Sequence, residues 1–304
     1  KIDIGQYANG GMMLFNLFAL TGDPAKRVVR FELSSLVQTD LTTYIKQQES
    51  DFDSSLELIL FDGKYKPDSG EVLYIDGYDD LDNLSHTIKN PLSVEVVEPT
   101  EAFFIDIKAL FTGYEKVNGE VKIMLQHFDK RRIISTNGLS IFHSSNVYKK
   151  IEGIGLTVDS KLTAILESGK LRFHSFFMTR QIFDLSEYYK EATNEDITEF
   201  ATNDTVQVSS TSELIEISDN WIRRKISLIQ QSDILNLVPI NEMKAIAAEF
   251  NIPFSTQDVN GKEVIKIPNN KAELKILLRF LDEDYYKSPL SKTNFVTNSK
   301  RAVK

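Results

Sequence analysis

From Glu120 to Phe183 the chain alternates apolar and polar residues in one stretch after another: EVKIMLQHFD, RIISTNGLSIFHSS and LTAILESGKLRFHSFFMTRQIF. A period of two places successive side chains on opposite faces of a strand, so one face can be buried while the other stays wet. Strands of this kind need tight reversals. Asn137-Gly138 fits a type I′ hairpin turn, and Glu167-Ser168-Gly169 carries the glycine that a tight loop needs. The middle of the chain therefore reads as an antiparallel sheet over residues 103 to 183. Its phenylalanines, Phe173, Phe176 and Phe183 among them, are assigned to the core.

The flanks read differently. Ahead of the sheet, strand-like KRVVRFEL, LELILFDG and EVLYIDG alternate with the helical spacing of SSLVQTDLTTYIKQQ, which Ser34 or Ser35 can cap. Behind it lie helices: DLSEYYKEATNEDITEFA with a break at Thr193-Asn194, TSELIEISDNWIRRKISLIQQ with a stripe through Leu214, Ile217, Trp221, Ile222 and Ile229, INEMKAIAAEF, and NNKAELKILLRFLDEDYY capped by Asn270. A hairpin around Asn260-Gly261 interrupts them. The fold class is α+β, a central antiparallel sheet with a helical C-terminal part containing a β-hairpin. The expected division is 1–115, an acidic α/β domain; 116–205, a basic β-rich middle; and 206–304, a mainly helical end.

At 304 residues the chain is long enough for two or three cores. It has no cysteine, which excludes disulfides, thiolate zinc sites and a cysteine nucleophile and fits a reducing cytoplasm. The longest apolar run, Met12 to Leu20, is broken by Asn16 and is too short to span a bilayer, and no signal peptide opens the chain. Membrane attachment therefore requires a partner. Phosphate-cradling, dinucleotide-binding, zinc-protease and nucleophile-elbow motifs are all missing, so no cofactor is expected. His86, His127, His143 and His174 are scattered without ligand spacing, and no metal is assigned to them.

Charge divides the chain. Residues 1–120 hold 10 Lys/Arg against 21 Asp/Glu (−11), residues 121–190 hold 11 against 6 (+5), and residues 191–304 hold 14 against 17 (−3), within a total of −9. A local excess of cations inside an acidic chain points to an anionic partner or to charge-matched self-assembly. Lys130, Arg131 and Arg132 sit together between two strands. Lys149 and Lys150 follow Tyr148, and Arg172 and Arg180 flank an aromatic strand. Cations beside rings can neutralise phosphates and stack bases. They also protect the exposed edges of sheets. An alternative chemistry is a metal-dependent nuclease: Asp106-Ile107-Lys108 on a strand would share a face at period two, behind Glu95, Glu98 or Glu101.

The end of the chain, LLRFLDEDYYKSPLSKTNFVTNSKRAV, narrows the choice. A helix runs into an acidic Asp-Tyr pair, then Pro289-Leu290, Phe295 and Asn298 to Arg301. Together with SDNWIRRKISLIQQSDIL, GKEVIKIPNNKAELKILLRFL and SKLTAILESGKLRFHSFFMTRQIFDLSEYYKEAT, this stretch resembles the KwaB-like family, soluble subunits of the bacterial Kiwa anti-phage defence system, over residues 120–304. The resemblance implies a non-enzymatic, cytoplasmic, DNA-binding, self-associating protein recruited to the membrane by a spanning partner of the KwaA type. A terminal motif shared across a family is more than a frayed end, and its residues suit either of two roles: docking on the body, with Phe295 an anchor, Asn298 and Ser299 bonding backbone and Arg301 pairing with an acid such as Asp282, or direct phosphate contact. Lys300 and Arg301 remain candidates for phosphate contact.

Overall fold

The computed structural model describes residues 13–301 apart from 55–56, 81, 135–138, 152 and 298. The chain forms two compact units: residues 1–61 with 67–184, and residues 62–66 with 185–304.

The first unit is built on β1 (Leu17–Thr21), β2 (Val28–Phe31), β3 (Glu57–Leu60), β4 (Glu71–Asp76), β5 (Ile107–Glu115) and β6 (Val121–His127). Further along come short β7 (Ile133–Ile134), β8 (Ile141–Ser144), β9 (Val147–Lys150) and β10 (Gly155–Leu156), then β11 (Ala164–Glu167) and β12 (Lys170–Phe173). Eight of these form one sheet in the order β2-β1-β5-β6-β11-β12-β4-β3. Every neighbouring pair is antiparallel except β3 and β4 at one edge. The mixed α+β class with a largely antiparallel central sheet is therefore the observed one, and the sheet draws strands from the acidic first third as well as from the basic middle.

Both faces of the sheet are covered. Helix α1 (Ser35–Asp53), capped by the Ser34 hydroxyl, lays Leu41, Ile45 and Phe52 against Ala19, Leu110, Met124 and Ile165. Strand alternation sends Phe111 and Leu125 to the opposite face. There α2 (Leu84–Lys89) and α4 (Phe176–Ile182) pack on β5 and β6. Gly113 permits this approach, because a Cβ on it would lie 2.4 Å from the Lys122 carbonyl and 3.1 Å from Ile88. Helix α3 (Glu101–Asp106) precedes β5.

Two stretches differ from the sequence reading. FHSFFMTRQIF does not continue β12: Ser175 accepts from the Met178 N–H and starts α4, which buries Thr179 and Ile182. Residues 103–106 likewise belong to α3, capped by Thr100. In both, a local cap beats a strand-like alternation only a few residues long.

The second unit is helical: α5 (Asn194–Ala201), α6 (Thr211–Ile217), α7 (Asn220–Ser232), α8 (Ile234–Leu237), α9 (Ile240–Glu249) and α10 (Lys271–Leu281). They enclose Ile222, Ile226, Ile229, Leu274, Leu277 and Leu278, with Trp221 packed at the margin. Strands β13 (Val206–Gln207), β14 (Thr256–Val259) and β15 (Lys262–Lys266) form a small sheet containing the Asn260-Gly261 hairpin, and β16 (Tyr285–Lys287) pairs with β17 (Asn294–Val296). The expected single helix over residues 211–231 is two. Asp219 accepts from the Ile222 N–H and begins a new helix there. The Thr193-Asn194 break is a capping box closed by Asp196.

A candidate nucleic-acid interface

Between β6 and β11 the chain leaves the sheet as a hairpin arm. Asp129 caps a 3-10 turn at Lys130–Arg132 by accepting from the Arg131 N–H at 2.9 Å. Strands β7 and β10 then pair antiparallel, the Ile151 N–H donates to the Ser140 carbonyl, and β8 pairs with β9. The arm reverses at Ser145 and Asn146, whose φ angles of +52° and +64° are those of a type I′ turn. Asn137-Gly138, the turn expected from sequence, lies outside the described residues.

The arm presents cations at its foot and along its length. Lys130, Lys149 and Lys150 are exposed and make no ion pair among the described residues. Arg131 is 88% exposed but folds back on Asp129 at 2.5 Å, and this hydrogen bond holds the Asp129 carboxyl below its ordinary range. Arg132 is bound by Asp159. No acid occurs from Leu139 to Ile151. Strand β9 is exposed throughout, and Tyr148 and Phe142 show 70% and 43% of their surface.

The remaining candidate cations sit in other settings. Arg180 lies in the last turn of α4 with its guanidinium over the Phe176 ring. Arg172 on β12 is only 15% exposed and lies between Asp53 and Glu167, at 2.8 and 3.2 Å. It belongs to a charge network under α1: Lys122 on β6 meets Glu49 and Asp53 at 2.6 Å each, Tyr114 donates to Glu49 at 2.8 Å, and Lys116 pairs with Glu167. Burial would raise the Asp53 carboxyl, yet Lys122 and Arg172 hold it below its ordinary value. Burial would lower the Lys122 ammonium, and the same carboxylates hold it up. Burial and then the bond to Glu49 push the Tyr114 phenol upward. Three cations facing three carboxylates leave this network close to neutral.

In the second unit, Lys225 on α7 binds both Asp282 and Asp284 at 2.6 Å, and the two carboxylates are each only 2% exposed. Lys300 reaches the same pair at 3.3 and 3.1 Å, and Lys64 approaches Asp282 at 4.0 Å. The tail is thus docked on residues 62–66. Ser299 bonds the Lys66 backbone at 3.0 Å, and Arg301 lies over Tyr65. Lys300 makes the pair with Asp282. Phe295 stacks on Tyr286 and stays 43% exposed, and Asn298 lies outside the described residues. Gly63, at φ +73°, is required here: a Cβ would lie 2.0 Å from Arg224 Nη2.

Asp106 and Lys108 do not share a strand face. Asp106 is the last residue of α3, and its carboxylate accepts from the Asp23 N–H at 3.0 Å, pinning the β1–β2 turn. Lys108 is an exposed residue of β5. Asp23, Lys26, Glu95, Glu98 and Asp106 border a cavity of about 270 Å³. Among the described residues no three His, Asp or Glu side chains converge as metal ligands, and no helix is long and apolar enough to cross a membrane.

The fold and this arm define an α+β protein with exposed lysines, unpaired among the described residues, at the foot of a two-stranded ribbon and along it. The family described as Kiwa protein KwaB-like matches residues 120–291, more than half of the chain and the region of the arm, β11–β12 and the helical end. The chain belongs to this family, and membership makes it a component of Kiwa anti-phage defence. No curated protein and no solved structure matches it.

Proposed function

We propose that this chain is the DNA-binding subunit of its defence system. It grips the nucleic-acid backbone without sequence preference through the arm and acts by obstruction of phage DNA metabolism rather than by catalysis. The observation that carries this reading is the set of exposed lysines with no carboxylate partner among the described residues, Lys130 at the foot of the arm and Lys149 and Lys150 on its acid-free ribbon, in a chain whose net charge is −9. Cations left unpaired on a protruding element are free to exchange counterions for phosphates. Arg131 joins them by exchanging Asp129 for a phosphate. Arg132, Arg172 and Lys300, already bound to carboxylates, and Arg301, stacked on Tyr65, hold the protein's own structure. A self-associated chain would present several arms to one duplex, and a KwaA-type spanning partner would bring them to the membrane.

The test is affinity for a labelled duplex as a function of salt. Each phosphate contact contributes roughly 0.9 to the slope of log affinity against log salt. Replacing Lys130, Lys149 and Lys150 with Ala should flatten that slope by roughly two to three, about equally for unrelated sequences. An unchanged slope in a folded variant would exclude this surface. Magnesium-dependent cutting that disappears in Asp106→Ala would favour the nuclease instead, and the lock between Asp106 and the β1–β2 turn argues against it.

A further inference from the structure

The β8–β9 ribbon carries more than charge. Two strands alone are marginally stable in water, and here neither face is covered. Cross-strand register places Phe142 opposite Lys149 on one face, while Ile141 with Lys150 and His143 with Tyr148 share the other. Each face thus sets an exposed ring beside a lysine that makes no ion pair among the described residues. The Tyr148 ring is braced by His143, whose plane meets it edge-on at 5.2 Å, so the most exposed ring is held in place. Backbone binding explains the lysines but leaves the rings unused: in an intact duplex the flat faces of the bases are already stacked on one another.

We infer that the ribbon is a stacking platform for unpaired bases, so that the arm prefers single-stranded DNA, or duplex opened locally, to closed duplex. An acidic protein surface would satisfy the lysines and offer the rings no flat partner. A nucleic-acid strand supplies both phosphate and π-face at the spacing of neighbouring residues, and aromatic stacking beside cations is sequence-tolerant. On this assignment Tyr148 and Phe142 receive bases on the two faces, and Lys149 and Lys150 neutralise the adjoining phosphates. The inference rests on the DNA-binding reading above and adds the form of DNA.

The probes are labelled oligothymidylate and its closed duplex with oligoadenylate, compared by anisotropy on the intact chain. Wild type should bind the single strand more tightly at equal salt. Tyr148→Leu keeps apolar bulk and removes the ring; it should lose roughly tenfold or more in single-strand affinity while duplex affinity and salt slope change less than twofold. Tyr148→Phe should retain single-strand binding, and Phe142→Leu should repeat the selective loss. Equal losses on both probes, or none on either, overturn the platform while leaving backbone binding intact. Failure of wild type to bind either probe removes both readings. A lower mass by light scattering in Tyr148→Leu, with DNA affinity unchanged, would show that the ribbon covers a second copy of this chain, and would overturn the inference.

Discussion

Single residues decide which charges are available. Lys122 is 7% exposed between Glu49 and Asp53, and removing one member of a buried pair leaves its partners uncompensated. Lys122→Met should lower stability by about 3 kcal/mol in urea unfolding, the low end for buried pairs because Asp53 is 37% exposed. Lys244→Met, at an exposed pair with Glu263, should cost about 0–1 kcal/mol. The pH dependence follows in sign. Asp53 is depressed when folded, so its contribution is complete above the unfolded value of about 3.9 and is lost as pH falls through the folded one. Lys122 and Tyr114 are raised, so theirs is complete below about 10 and is lost as pH climbs through their folded values. The joint contribution of these three groups should be flat between those limits and fall on both sides, with a shallower acid limb in Lys122→Met; burial also lowers the His174 imidazole, so thermal midpoints should begin to fall with acid below about 6.5.

Among elements, the arm depends on its turn. Asn tolerates the left-handed conformation and a β-branched residue does not. Asn146→Val should add about 1–2 kcal/mol of strain at φ +64° and speed amide exchange in Val147–Lys150 roughly fivefold or more, while the sheet keeps its protection. Asp219 shows how far one acid shapes the helical unit. It caps α7 and receives Lys271 and Lys275 at 3.1 and 2.8 Å. Asp219→Ala should destabilise by about 1–2 kcal/mol in denaturant melts, mainly through the lost cap.

At the scale of the whole molecule, the proposed work is binding by an assembled protein. Light scattering should give a mass at least twice that of one chain. Replacing Lys130, Lys149 and Lys150 with Ala should leave that mass unchanged while DNA affinity falls. A mass that drops together with affinity would place the basic arm between subunits, against acidic surface of a neighbouring copy.

Much was legible in local order. Alternation marked β6, β11 and β12, the Ser34-Ser35 pair and Asn270 announced their helices, and charge partition singled out the basic middle, because each depends on neighbours in sequence. The end of the chain marked the family for the same reason. What sequence could not distinguish was which cations were already bound. Lys149 and Arg172 look alike in a composition count, but Arg172 meets Asp53 across 119 positions and Lys300 meets Asp284 beneath a docked tail, while Lys149 meets no acid among the described residues. Nor could it place Asp106, whose partner Asp23 lies 83 positions away. Local propensity is written in adjacent residues; the state of a charge is set by whatever folding brings within a few ångströms of it, and only the tertiary structure decided that.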